Sequence, residues 1–362
     1  MVKLKTKICI FSGSFYGGGA EKVSINLANY FKKKNYLVTL LLINGKGPYK
    51  NLLNKNIIVK VLKKKTKLGT FLNLIHFLKS NNFDYLLSTM RATNIVSGIA
   101  KYFYPVKYKI IFREPNTLDE ILSYNFFVRN FYLILMKIAY RNAKGLIANS
   151  RDTLNDLLKY NIIPYNKKKI IIGNPLIKNK KFYYKSKNNL ISISVGRLEK
   201  QKNFTFLIKT FKKVIEKKPN AKLYIFGEGS QYNYLSRLII ELKLDKNVFL
   251  KPFTTNIKKY FLEADLYIMT SKWEGFGNVL VEAMSYGKKI ICTTSKGGPN
   301  EILKDCKNSH IKTISSKSLS KNIIKELSKR NLKSNSHNMI KNSFNYMIDE
   351  ISDKYLTFMN KV

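Results

Sequence analysis

Two glutamates eight positions apart, Glu274 and Glu282, bracket the stretch best suited to chemistry, Ser271-Lys-Trp-Glu-Gly-Phe-Gly-Asn-Val-Leu-Val-Glu-Ala-Met-Ser-Tyr-Gly287. An apolar run, Leu266 to Met269, precedes it and reads as a buried strand. A glycine-punctuated turn follows, and Asn278 to Tyr286 reads as a helix. This order sets the helix N-terminus, with its unpaired N–H groups and partial positive charge, at the strand's carboxyl edge, a site that suits phosphate. Carboxylates touching that phosphate would repel it. Placed on either side, Glu274 and Glu282 could each accept hydrogen bonds from the hydroxyls of one sugar. A ribose, a diphosphate and a second sugar together make a nucleotide-sugar.

Other candidates lie at comparable junctions. Gly17, Gly18 and Gly19 follow the apolar run Ile8–Ser12 and open a helix from Ala20 to about Lys33. Lys22 stands where a dinucleotide fingerprint needs its third glycine, so that match fails. Three consecutive glycines instead let the backbone approach a ligand closely, or simply make a tight strand–helix turn. Arg91 and Arg113 stand just past strand ends in a chain whose default cation is lysine. They read equally as rigid forks for phosphate or carboxylate and as structural arginines in caps or ion pairs.

The elements that would position these residues alternate strand and helix. Strands are predicted at Val38–Ile43, Tyr85–Ser88, Tyr108–Phe112, Leu146–Ala148 and Lys169–Ile172. Helices are predicted near Leu68–Lys79, Thr93–Tyr102 and Leu118–Tyr140. Gly173-Asn-Pro175 and the Lys- and Asn-rich sequence to Asn189 read as a linker. A second βα series follows, with strands at Leu190–Val195, Ala221–Phe226, Val248–Leu250, Leu266–Met269 and Lys289–Thr293. Residues 331–338 read as a polar loop, and Met339 to about Met359 as one helix with Met347, Ile351, Tyr355 and Phe358 on a face. Repeated βα units imply an α/β protein with mostly parallel sheets, whose ligands gather at the strands' carboxyl ends.

Trp273-Glu-Gly-Phe-Gly-Asn-Val-Leu-Val-Glu282 resembles the Glu-x7-Glu signature of retaining GT-B glycosyltransferases of family four, the type that builds bacterial polysaccharides and lipid-linked oligosaccharides. Further segments in family order extend the resemblance from Gly17 to Glu301. Gly17-Gly-Gly-Ala-Glu-Lys-Val23 is similar to the N-terminal glycine-rich loop, and Arg113-Glu-Pro-Asn116 to a His-Glu-Pro-type segment. Gly196-Arg-Leu-Glu-Lys-Gln-Lys202 is similar to the diphosphate-binding segment. Gly227-Glu-Gly229 and Pro252-Phe253 match places where relatives hold the nucleotide base. Many relatives carry His where Arg113 stands, so no role of that His transfers.

The resemblance implies two Rossmann-like domains facing a cleft: an acceptor domain over 1–175, a nucleotide-sugar domain over 190–338, and a helix over 339–362 crossing back to the first. It assigns Glu274 to donor-sugar hydroxyls, Glu282 to the ribose, and Arg197, Lys202 and the Asn278, Val279 and Leu280 amides beyond Gly277 to the diphosphate. Gly18, Gly19, Gly227 and Phe253 would complete the donor site, with Arg91, Arg113 and Glu114 on the acceptor side. The implied reaction moves a sugar, an N-acetylhexosamine, from a UDP-sugar to a polyprenyl-linked or other glycan acceptor with retention. No Asp-x-Asp occurs. Metal-independent transfer is therefore expected, with no cofactor beyond the donor. The alternatives are a sugar-nucleotide epimerase on the same fold, which would turn over donor without acceptor, and, behind it, a basic nucleic-acid-binding protein.

Composition bounds the rest. The 362 residues suffice for two domains, and the formal charge is +44. Lysine makes up nearly all of the basic excess, and with abundant Asn and Ile this pattern is that of codon bias. Residues 1–180 nevertheless hold 32 basic and 7 acidic side chains, against 34 and 15 in 181–362. The first half thus favours an anionic partner. Lys101-Tyr-Phe-Tyr-Pro-Val-Lys-Tyr-Lys109 suits an anionic membrane surface; no nucleic-acid recognition motif accompanies it. Cys9, Cys292 and Cys306 show neither metal spacing nor a disulfide framework, and no secretory signal or spanning segment is evident. A cytoplasmic protein peripheral on the inner face of the cell membrane is expected.

Overall fold

A computed structural model describes residues 5–64, 66–104, 108–183, 189–293, 295–306, 309–312, 315–329 and 331–362. The chain forms two compact units, one of Met1–Leu176 with Ile348–Val362 and the other of Ile177–Met347.

The first unit carries strands β1 (Lys7–Ser12), β2 (Leu37–Leu42), β3 (Ile58–Val61), β4 (Tyr85–Ser88), β5 (Lys109–Glu114), β6 (Gly145–Ala148) and β7 (Lys168–Ile171). They pair in parallel in the order β3-β2-β1-β4-β5-β6-β7. Its helices are α1 (Gly19–Lys33), α2 (Lys67–Ser80), α3 (Arg91–Phe103), α4 (Asp119–Leu122), α5 (Phe126–Arg141) and α6 (Arg151–Lys159). Buried Phe11, Leu86, Phe112, Met136 and Tyr140 belong to one core between sheet and helices. The single long helix expected over 118–140 is two. The Asn125 side chain accepts the Val128 N–H at 3.0 Å and caps α5, which ends the preceding turn. Strand β3 and helix α6 have no counterpart in the expected elements. β3 is an exposed edge with no buried face to produce alternation.

The second unit has strands β8 (Ile191–Val195), β9 (Lys222–Phe226), β10 (Val248–Lys251), β11 (Leu266–Met269), β12 (Lys289–Thr293) and β13 (Ser309–Lys312), all parallel in the order β10-β9-β8-β11-β12-β13. Its helices are α7 (Phe204–Ile215), α8 (Tyr232–Glu241), α9 (Lys258–Glu263), α10 (Asn278–Ser285), α11 (Pro299–Leu303), α12 (Ser316–Ser328) and α13 (Lys333–Ser343). Strand order reverses direction between β8 and β11, the switch point at which open α/β sheets bind ligands.

The C-terminal segment departs from the expected single helix. Lys333–Ser343 is already helical and packs on α10, burying Met339 and Ile340. A 3-10 turn follows over Phe344–Tyr346. Met347 is extended and bridges to Ile177, and α14 (Ile348–Lys361) begins anew, packing against α1 in the first unit. Residues 333–338 are thus helix rather than loop, and the division falls at 347/348 rather than 338/339. Apolar spacing continues through the break because each half buries its own face in a different core. Residues 184–188 of the expected linker lie outside the described residues.

Candidate functional site

In the second unit the carboxyl ends of neighbouring strands carry the predicted donor-side residues: Phe253 after β10, Gly227 after β9, Arg197 and Lys202 after β8, and Glu274 to Asn278 after β11. Two glycines make close backbone approaches possible here. At Gly227 (φ +152°) a Cβ would stand 1.9 Å from the Gly196 carbonyl oxygen, and at Gly297 (φ +109°) one would stand 1.5 Å from that of Glu274. The β8 loop therefore seats on the β9 loop, and the β12 loop seats on the Glu274 turn. That turn is held further by the Glu274 N–H donating to Lys296 O at 2.9 Å.

Glu274 is 7% exposed. Its Oε1 accepts from Lys202 Nζ at 2.5 Å and from Ser271 Oγ at 2.6 Å. The Lys202 stem runs across Gly196, where a Cβ would lie 3.0 Å from Lys202 Cε. More bonds join the two loops. Gln201 Nε2 donates to Trp273 O at 2.9 Å, the Lys272 N–H to Gln201 O at 2.8 Å, and Thr270 Oγ1 to Lys202 O at 3.1 Å. Arg197 is exposed and reaches Gln201 Oε1 through Nη2 at 3.3 Å. The result is a rigid cationic rim with a buried carboxylate behind it at the β8/β11 switch point.

The α10 N-terminus follows at once, capped by Gly277 in the left-handed region (φ +94°). Asn278 and Val279 are half-buried. The Leu280 N–H donates to Gly277 O at 2.9 Å, so Leu280 is removed from the expected set of open amides and serves the core instead. Glu282 is half-buried on α10. Burial first, and then the charges of Glu274, Cys292 and Glu282, hold the Tyr267 hydroxyl well above its ordinary pKa. Below the rim, Glu199 accepts the Ser230 N–H at 2.9 Å and its hydroxyl at 2.7 Å. These bonds hold the Glu199 carboxyl below the usual range, with Arg197 adding to the effect.

The acceptor-side residues are mostly interior. Arg113 is fully buried, with Nε on the Tyr355 hydroxyl at 3.1 Å, Nη1 on Thr89 O at 3.0 Å and Nη2 on Asn174 Oδ1 at 2.6 Å. It is a structural cation tying α14 to the sheet, not a surface fork. Glu114 is equally buried, accepting from Tyr140 and from Arg91 Nη2 at 3.0 Å. It too is withdrawn from the acceptor side as a direct contact. Arg91 also donates to Asn116 O at 2.9 Å and Thr117 O at 2.8 Å, and its side chain keeps 13% exposure. Gly18 N-caps α1, and a Cβ there would stand 2.0 Å from Glu21 Oε2. The close approach that Gly18 permits, with Gly19 opening the helix, is thus to the chain's own carboxylate.

The sequence profile of the family described as Glycosyl transferases group 1 matches residues 177–346. A Campylobacter jejuni protein named N-acetylgalactosamine-N,N'-diacetylbacillosaminyl-diphospho-undecaprenol 4-alpha-N-acetylgalactosaminyltransferase is 29% identical over 317 residues, 83% of this chain and 84% of its own. The structure of Anabaena HepE in complex with UDP superimposes with a TM-score of 0.80 at 20% identity, covering 99% of this chain and all of that one. Residues 177–346 match the group 1 glycosyl transferases, and the chain as a whole has the GT-B fold. An uncharacterized glycosyltransferase of Methanocaldococcus jannaschii is 35% identical over 185 residues, 51% of this chain and only 45% of that relative's length.

Sequence reasoning overlooked three residues that build the candidate site: Ser271, Gln201 and Glu199. Ser271 and Gln201 stand inside the quoted motifs, where polar side chains beside Glu274 and Arg197 were the available signal. Glu199 belongs to the same segment, but its Ser230 partner carries no sequence mark.

Proposed function

We propose that this glycosyltransferase moves an N-acetylhexosamine from a UDP-sugar to a lipid-linked glycan acceptor in surface-glycan synthesis, with retention and without a metal. The Lys202–Glu274 pair at the β8/β11 switch point carries the proposal. It puts a cation and a carboxylate side by side at the end of a helix N-terminus, as a sugar bonded to a diphosphate requires. As the sugar–phosphate bond breaks, negative charge grows on the diphosphate. Arg197, Lys202 and the Asn278 and Val279 amides stabilise it through fixed donors that need little reorganisation. Glu274, held by Ser271, orients donor-sugar hydroxyls, and Glu282 the ribose. Gly227 and Phe253 border the base, while Gly18 and Gly19 line the glycine loop.

The choice of UDP draws support from the UDP complex of the Anabaena protein, and the N-acetylhexosamine and polyprenyl diphosphate from the name of the Campylobacter relative. An acceptor of that kind lies in a membrane, so the protein works as a peripheral protein on an anionic surface. No helix among the described residues is long and apolar enough to cross one. In the Lys101–Lys109 segment expected to make that contact, residues 105–107 lie outside the described residues. UDP should raise the melting temperature, since a ligand of the folded state stabilises it. A shift with GDP or ADP and none with UDP overturns the base assignment.

A further inference from the structure

Helix α5 has two apolar faces. Leu133, Met136 and Tyr140 face the core, whereas Phe127, Phe131, Ile134 and Ile138 recur at steps of four, three and four along the opposite side. Those four are 82%, 60%, 56% and 40% exposed. The stripe extends sideways. Tyr102, at the end of α3, donates its hydroxyl to Ile138 O at 3.3 Å, and the neighbouring Phe103 is 66% exposed. An apolar surface this continuous marks a contact site rather than scatter.

We propose that the outer face of α5, with the end of α3, seats the protein in an anionic lipid surface by inserting Phe127, Phe131, Ile134 and Ile138 among the acyl chains. Charge identifies the occupant. Helices α2, α3 and α5 contain lysine and arginine but no Asp or Glu, and on α5 the cations Lys137 and Arg141 flank the stripe beside Ile134 and Ile138. Such a face meets lipid phosphate with no carboxylate on its own helices to repel it, and long basic side chains reach headgroups while their stems lie on apolar surface. A second copy of the chain would set the same positive face against itself. A transmembrane role fails on length, because α5 has 16 residues where a span needs about 20. The helix lies in the interface. This deepens the peripheral-membrane part of the proposed function and is independent of donor chemistry, since the test contains neither nucleotide nor acceptor.

The test is sedimentation of the full-length protein with phosphatidylcholine vesicles, with or without phosphatidylglycerol. Binding to the anionic vesicles is expected to fall about tenfold or more in Phe127→Ser/Phe131→Ser/Ile134→Ser, as lost apolar burial requires. Lys137→Gln/Arg141→Gln should lose the preference for anionic over neutral vesicles. Because the three native cysteines are buried, a bimane label can be placed selectively at Phe127→Cys. Its emission should shift to the blue with vesicles, whereas a label at the exposed Tyr232→Cys, on α8 of the second unit, should not respond. The single-site label decides the matter even if the triple variant misfolds. Undiminished pelleting of a folded serine variant, or an unresponsive label at position 127, overturns the proposal. So does a lipid-free dimer in sedimentation velocity that the serine substitutions dissociate.

Discussion

Replacing Lys202 by Met tests the coupling at the heart of the site. The substitution keeps the apolar stem that crosses Gly196 but strips the charge from a carboxylate whose side chain is only 9% exposed. Removing one partner of a buried pair typically costs about 3–5 kcal/mol, because the remaining charge stays desolvated. Here the Lys202 side chain is 17% exposed and Ser271 continues to serve Glu274, so a loss of about 2–3 kcal/mol is expected. For a unit of this size that lowers the melting temperature by roughly 5–10 °C. Glu274→Gln should cost less, since the freed Lys202 can turn toward water. Lys202→Met/Glu274→Gln should recover much of the loss, as coupling between contacting residues requires. Thermal and urea unfolding of the four proteins measure this. Unchanged stability in Lys202→Met, or losses that simply add in the double variant, would refute the pairing.

Arg197→Ala should reduce turnover by about 100-fold or more, as loss of a charge-stabilising donor does, whereas Glu282→Ala should act mainly on UDP affinity; steady-state rates and UDP titration separate the two. EDTA should leave turnover intact, and activity that vanishes and returns only with Mn²⁺ or Mg²⁺ contradicts the reliance on Arg197 and Lys202. Tyr355→Phe removes the acceptor of the buried Arg113 Nε and should cost about 1–3 kcal/mol in urea unfolding without changing UDP binding; a neutral result denies Arg113 its structural role.

The βα alternation and the strand–turn–helix around Glu274 were legible because each is written locally, in apolar runs broken by glycine. The Lys202–Glu274 contact joins residues 72 apart, and no periodicity records which cation meets which carboxylate. Arg113 misled for a physical reason. An arginine past a strand end has the same signature whether its fork faces a ligand or, as here, Tyr355, Thr89 and Asn174. Gly18 misled similarly, since small residues show that something approaches and not what; it is Glu21. The outward stripe of α5 was hidden because a helix apolar on both faces reads as buried. The C-terminal break escaped because Met339 and Ile340 pack in one unit and Ile351 and Tyr355 in the other, without interrupting the apolar pattern.

The central claim is transfer from a UDP-sugar to a lipid-linked acceptor. It is tested most directly by incubating the purified protein with a nucleotide-sugar panel, with and without polyprenyl-diphosphate-linked glycans, and reading products by mass spectrometry. The account predicts one added N-acetylhexosamine on the lipid-linked glycan, from a UDP donor, only when acceptor is present, and abolished in Glu274→Ala. Donor consumed or epimerised without acceptor, or transfer undiminished in Glu274→Ala, would contradict it.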